Sequence, residues 1–325
     1  MSVLLRSVLS KRLLGPCFVT RISNKSSSTS TNPYKDKSFL ELLNGYVILR
    51  LCSIPRFAKN AENFYSIGKS ILGQKLTNAI LRRTFYRHFV AGETVEKLEE
   101  CSEKLFQDKV LLMLCPPMED LHGRTEQYRQ KVASNIARYM DYLAIADKIN
   151  RKQPGQKAVM QFKPTAVFPQ ELMEEVSSAH ENKVDLTKCG DKYAEFMKAH
   201  PATGFHSCET DGAMQYLMGS VDRLFKKAQE VNVPILIDGE LRNTHYAMHA
   251  IALAASVHYN KTDLNQNTLV YDTFQCYLKG TESFLDQYLS SCLTLGCRAG
   301  LKPVRGAYMD TERQLAKVAV SKDCL

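Results

Sequence analysis

The sequence predicts an α/β fold built from parallel β/α units. Five short apolar runs, beginning near Val110, Lys157, Val231, Thr268 and Lys302, each end in polar groups. A buried parallel strand reads this way when its C-terminal end opens on a site. Stretches of helical composition separate the runs, and that alternation is the signature of β/α units. The chain has 325 residues with 44% apolar content, enough for a sizeable core in one large domain or two smaller ones.

The first 35 residues contain Arg6, Lys11, Arg12, Arg21, Lys25 and Lys35 and no acidic residue, and a Ser-rich tract, SNKSSSTSTN, runs from Ser23 to Asn32. A basic, acid-free amphipathic stretch of this kind predicts a mitochondrial transit peptide over residues 1–35; a disordered basic tail is the alternative. Its apolar runs are too short to span a membrane. The remaining chain carries 37 basic and 34 acidic residues, nearly neutral, which argues against nucleic acid as a partner.

Residues 36–105 read as an N-terminal helical region. LELLNGYVILRLC has apolar residues at helical spacing, and Pro55 ends it. GKSILGQKL, from Gly68, looks superficially like a phosphate loop, but Gln74 stands where the lysine is needed, so it reads as helix. HFVAGETVEKLEECSEKLFQD supplies a turn and an amphipathic helix with Thr94 as a possible cap.

Residues 106–325 then carry the β/α units, with a helical insert at about 170–230. VLLMLCPPMED is the first strand and KAVMQFKPTAV the second. Proline removes a ladder donor, so Pro164 is expected to distort the second strand. Lys163 at that strand's end reads alone as a solvated rim residue. In VNVPILIDGE, the third strand, Asp238 and Glu240 lie two apart and would face the same way. Such a pair suits acid–base work, one pKa being raised by the other. Asp238 can alternatively cap the helix that follows. In the fifth segment, LKPVRGAYMD, the cations Lys302 and Arg305 sit beside Gly306, Ala307 and Tyr308. Two cations next to a glycine suit a flat, electron-rich or anionic ligand.

No metal site is expected. The ten cysteines form no CxxC pair, and Cys292 and Cys297 are poorly spaced for zinc. His200, His206 and Cys208 lack a fourth ligand. His245 and His249 are four apart, but Tyr246 stands where an HExxH glutamate would be, so both read as helix-face histidines.

The motifs TFQCYLK and VRGAYMDTER resemble the fourth- and fifth-strand motifs of proline dehydrogenases. ILIDGE is similar to the family's third-strand motif, usually Asp-Ala-Glu, and HFVAGET to its N-terminal signature. The resemblance runs from about Tyr86 to the last residue. It implies a (β/α)8 TIM-type barrel of which about five of eight strands are present. The family's later strands, its His-Asn pair and its final helix with paired arginines have no counterpart, so the chain reads as truncated. The resemblance also implies FAD as cofactor, oxidation of L-proline to Δ1-pyrroline-5-carboxylate by hydride transfer, and ubiquinone as electron acceptor. It implies a mitochondrial matrix location with peripheral association with the inner membrane. The absence of GxGxxG fits a barrel flavoenzyme. Matching motifs give Ile237, Gln275, Lys302, Pro303, Val304, Arg305, Gly306 and Ala307 as the FAD contacts. They give Asp238, Lys302 and Arg305 as catalytic residues, and Lys163 and Glu119 as substrate contacts. Hydroxyproline dehydrogenase and a truncated product without activity are the alternatives.

Overall fold

The computed structural model describes residues 37–322 except 93, 108–109, 119, 122–126, 153–156, 181–210, 241 and 263–266. The expected transit peptide, Glu119 and the group His200, His206 and Cys208 lie outside the described residues. The described residues divide into two compact units, 37–101 and 102–322.

The first unit is helical. Helix α1 (Phe39–Cys52) starts at a capping box in which Ser38 and Glu41 satisfy each other's backbone N–H groups. The same bonds, those from Ser38 first, lower the Glu41 pKa. Pro55 occupies the first turn of a short helix, α2 (Pro55–Lys59), as proline favours. Helix α3 (Ala61–Leu81) bends at Gly73, whose φ of +74° only glycine adopts readily. A π-turn (Arg82–Tyr86) and helix α4 (Arg87–Phe89) complete it. Phe57 stacks on Phe64 and Phe85 at 5.2 and 6.1 Å. Helix α5 (Val95–Gln107) begins beside Thr94, whose hydroxyl accepts the Lys97 N–H at 3.4 Å.

The second unit is a parallel sheet with helical crossovers. Its strands are β1 (Met113–Leu114), β2 (Val159–Phe162), β3 (Ile235–Ile237), β4 (Val270–Gln275) and β5 (Leu301–Val304). They pair in sequence order, β1-β2-β3-β4-β5, the arrangement of a β/α barrel wall. Helix α6 (Gln127–Lys152) joins β1 to β2. Helices α7 (Gln170–His180) and α8 (Asp211–Glu230) lie between β2 and β3. Helix α9 (His245–Tyr259), α10 (Thr281–Thr294) and α11 (Met309–Lys322) follow β3, β4 and β5.

A row of rings ties the layers. Tyr139 of α6 meets Phe162 of β2 at 5.3 Å, Phe162 meets Phe225 of α8 at 5.9 Å, and Phe225 stacks on Tyr259 of α9 at 5.8 Å. Helix α9 is buried around most of its circumference, as its alanine-rich, nearly charge-free sequence requires.

The two prolines fall where they cost no ladder bond. Strand β2 ends at Phe162, and Pro164 opens a buried 3-10 turn (Pro164–Ala166). The expected distortion of β2 is therefore absent, because proline at the first position of a turn gives up no needed N–H. In β5, Gly300 and Val304 accept bonds from Asp272 and Cys276 of β4. That spacing turns the backbone of Pro303 to the strand's outer side.

Asn260, fully buried after α9, closes the frame. Its side-chain oxygen accepts from Leu269 N and Val270 N at 2.8 and 3.0 Å, and its amide donates to Val270 O and Arg298 O at 2.8 and 3.1 Å. One side chain thus pins the starts of β4 and β5 to the end of α9. Replacing Asn260 by Ala leaves these buried groups unpaired, at about 1–3 kcal/mol for each unsatisfied group. A loss of at least about 3 kcal/mol in unfolding free energy is expected by urea titration.

Candidate active site at the strand ends

The polar side chains at the C-terminal ends of the strands meet on one rim. Helix α6 builds its first part. The Tyr139 hydroxyl accepts the backbone N–H of Lys163 at 2.9 Å, and Asn135, one turn earlier, donates to Ala166 O at 2.8 Å. These bonds hold the KPTA turn against the sheet. Leu121 N donates to Thr165 O at 2.9 Å, which brings Asp120 from the β1 loop alongside. The Lys163 ammonium then lies 2.5 Å from Asp120 and 3.4 Å from Glu240. The Thr165 hydroxyl is 2.7 Å from Asp120 and 3.0 Å from Glu240, and donates its one proton to either.

Glu240 is 6% exposed, and its Oε2 has no hydrogen-bond partner among the described residues. Burial raises its pKa against the pull of Thr165 and Lys163, and Asp120 adds to the rise. Burial works against the Lys163 charge, but Asp120 and Glu240 outweigh it, so the Lys163 pKa is raised.

A second ion pair stands across the rim. Lys302 of β5 donates to Asp238 at 3.3 Å, both side chains being about one-quarter exposed. The expectation for Asp238 and Glu240 needs correction here. Strand β3 stops at Ile237, so the two-residue alternation no longer applies beyond it. The two carboxylates take different cations, and the acid that presses on Glu240 is Asp120. Asp238 does not cap α9 by a side-chain bond either: Thr244 is the residue at that cap. Gly239 lets this loop lie close to β4, since a Cβ there would sit 2.9 Å from Thr273 Cγ2.

The other expected contacts separate into two groups. Ile237 is fully buried, and its carbonyl accepts the Thr273 hydroxyl at 2.6 Å. The Gln275 amide is occupied: it donates to Glu240 O and accepts from Tyr277 OH. Val304 is half-buried, while Pro303, Arg305, Gly306 and Ala307 are exposed at the outer side and end of β5. Burial, then Glu240 and Asp238, raise the phenol pKa of Tyr308.

For a flavin, the cations Lys302 and Arg305 and the open backbone of β5 suit a flat, electron-rich ring, whereas Gln275 would have to release one of its present bonds. Asp120 and Thr165 belong to the cluster and went unnoticed in the sequence. The only available hints were their positions next to Glu119 and within KPTA.

A pH-dependent outcome follows from Glu240. Below its ordinary pKa of 4.5 the carboxyl is protonated in both folded and unfolded chains. Above its raised folded value it is charged in both, and the burial penalty falls on the folded state. Wild type should therefore lose stability relative to Glu240→Gln as pH rises from about 4 to about 8, read from urea midpoints across a pH series.

The proline dehydrogenase family model matches residues 118–323. Hydroxyproline dehydrogenase of Xenopus laevis is 30% identical over 290 residues, covering 87% of this chain and 59% of the relative. Proline dehydrogenase 1, mitochondrial, of Dictyostelium discoideum is 27% identical, covering 90% of this chain and 51% of the relative. The chain thus spans between half and two-thirds of the length of these relatives. The crystal structure of proline utilization A (PutA) from Bdellovibrio bacteriovorus inactivated by N-propargylglycine aligns with a TM-score of 0.50 at 14% identity. That alignment covers 86% of this chain and 25% of PutA, and it shows a shared fold. With the family model covering well over half its length, and a five-stranded parallel wall of barrel type presenting paired charges at its rim, the chain belongs to the proline dehydrogenase family.

Proposed function

We propose that this chain carries the strand-end chemistry of an FAD-dependent dehydrogenase that oxidises L-proline to Δ1-pyrroline-5-carboxylate. The observation that carries the reading is the pair of opposed ion clusters on one rim, Lys163 with Asp120 and Glu240, and Lys302 with Asp238. A cyclic amino acid is a zwitterion and needs both signs of charge within its own length. Lys163 and Glu119 would be the substrate contacts, Lys163 at the carboxylate, and Asp238 would orient the ring amine. Lys302 and Arg305 would hold FAD, in company with Ile237, Gln275, Pro303, Val304, Gly306 and Ala307. When bound, FAD supplies the acceptor for a hydride from the ring carbon next to nitrogen. Lys302 would stabilise the negative charge on the bound group.

A second reading, oxidation of hydroxyproline, is favoured by the name of the Xenopus relative. The test is the purified full chain supplied with FAD. Retained flavin absorbance and dye reduction with L-proline support the first reading, and preference for trans-4-hydroxy-L-proline the second. A colourless protein inert to both amino acids overturns both. Lys302→Met should cut kcat by about 10²–10³-fold.

Ubiquinone as acceptor and a peripheral place on the matrix side of the inner mitochondrial membrane complete the proposal. A mitochondrial name among the relatives supports it, as does the helical unit. Residues 37–90 carry nine basic and two acidic side chains. Phe39, Leu40, Leu43, Tyr46 and Val47 form an exposed stripe on α1. Among the described residues no helix is long and apolar enough to cross a membrane. A helical unit that is basic as a whole and carries one exposed apolar stripe suits an anionic bilayer surface. Leu43→Ser with Val47→Ser should reduce co-sedimentation with cardiolipin-containing vesicles several-fold, and added salt should weaken the wild type.

A further inference from the structure

The turn between α10 and β5 holds two cysteines that play no part at the rim. Helix α10 ends in a Schellman motif. Gly296, with a φ of +66°, is the left-handed residue just past the helix end. Its N–H donates to Leu293 O at 3.2 Å, and the Cys297 N–H donates to Cys292 O at 2.9 Å. The second bond sets Cys292 and Cys297 side by side across the turn. This motif brings the side chains at its two ends into contact, and an apolar pair commonly fills the place. Here both are cysteines, each a free thiol, and the thiols hydrogen-bond to each other.

The surroundings hold the pair in register. Cys297 forms an antiparallel bridge with Lys261. Gly296 O accepts the Thr262 N–H and hydroxyl at 3.1 and 3.0 Å, and the Arg298 N–H donates to Asn260 O at 2.8 Å. The turn is thus tied to the end of α9 on one side and leads into β5 on the other. Cys292 and Cys297 are 2% and 4% exposed, while Leu293, Thr294 and Gly296 between them are exposed. The sulfurs therefore lie directly under a surface turn. A small local opening admits a molecule little larger than water and still shuts out a bulky one.

A disulfide needs two cysteines whose backbones are close and whose side chains point together. One backbone hydrogen bond between the two residues and thiols in contact meet both conditions. We propose that Cys292 and Cys297 form a reversible oxidation site, at which a hydroperoxide converts the touching thiols into a disulfide that staples the α10–β5 turn. One thiol takes an oxygen from hydrogen peroxide as the O–O bond breaks, giving a sulfenic acid and water. The second sulfur then displaces the hydroxyl from the first, and its proton leaves with that hydroxyl as a second water. Two thiols and one peroxide thus give one disulfide and two waters; the sulfurs lose two electrons and the peroxide gains them. Either sulfur can react first, so nothing rests on which thiol donates to the other. The closed loop has six residues and keeps the turn that is already formed, so the link restricts chiefly the unfolded chain. The site goes beyond the proposed dehydrogenase activity and does not rest on it.

The test treats the full chain with hydrogen peroxide, removes the peroxide with catalase, alkylates with N-ethylmaleimide in urea and digests with trypsin without reductant. Cleavage after Lys279 and Arg298 leaves both cysteines on one peptide, 280–298. That peptide should be two hydrogens lighter than its reduced form and carry no maleimide. Phosphine reduction before alkylation should restore two maleimides. The urea midpoint should rise by roughly 0.5–1 M on oxidation and fall back on reduction. Cys292→Ala with Cys297→Ala should lose that rise. Should the double variant not fold, the peptide mass and its reversal in the wild type decide alone. The proposal is overturned by a peptide that still takes two maleimides after peroxide, or by sulfurs oxidised singly to sulfinic or sulfonic acid. Bonds from these two sulfurs to other cysteines, or an oxidised chain no more resistant to urea than the reduced one, overturn it equally. None of these readings depends on flavin or proline.

Discussion

The Lys163 ammonium joins three strand ends at one point. It stands between Asp120 of the β1 loop and Glu240 beyond β3, while its own backbone is held by Tyr139 of α6. A carboxylate as buried as Glu240 would be costly without a cation beside it. Replacing Lys163 with an apolar residue would leave two acids facing each other across a few ångströms. One would have to take up a proton or the loops would part. The second ion pair, Lys302 with Asp238, is a single contact at 3.3 Å rather than one cation shared by two acids, so it is better suited to rearrange around a ligand.

The frame beneath the rim is stiff for a different reason. Helix α9 has few polar groups to offer water, and its alanines let it lie close to β4. Two polar side chains buried on it and at its end are matched: His249 by Asp272 and His245, Asn260 by four backbone groups. Low-dielectric surroundings strengthen such networks when complete and penalise them when one member is missing. Precision at the strand ends therefore rests on polar matching behind the sheet as much as on the apolar core.

Much of this arrangement was legible in the chain. Apolar runs ending in polar residues located all five strands, and motif matching drew attention to Lys163, Asp238 and Lys302. The missed parts were those settled by contacts between distant segments. Nothing local tells Asp120 from any loop acid; its role comes from the Leu121–Thr165 bond. Pro164 misled because the strand was taken to run past Phe162. Asp238 and Glu240 looked paired because alternation was carried beyond the strand that imposes it. The histidines of α9 read only as helix-face residues because their partner, Asp272, comes from the next strand and makes a buried position tolerable. Glu119, in an undescribed position, stays an expectation.

The ring of Pro303 has an effect on the far side of β5 as well. A strand that aligned along that flank, from this molecule or another, would find one rung of its ladder without a donor. Pro303 thus withholds a donor from the outer side of β5 while leaving the inward-facing bonds to β4 intact.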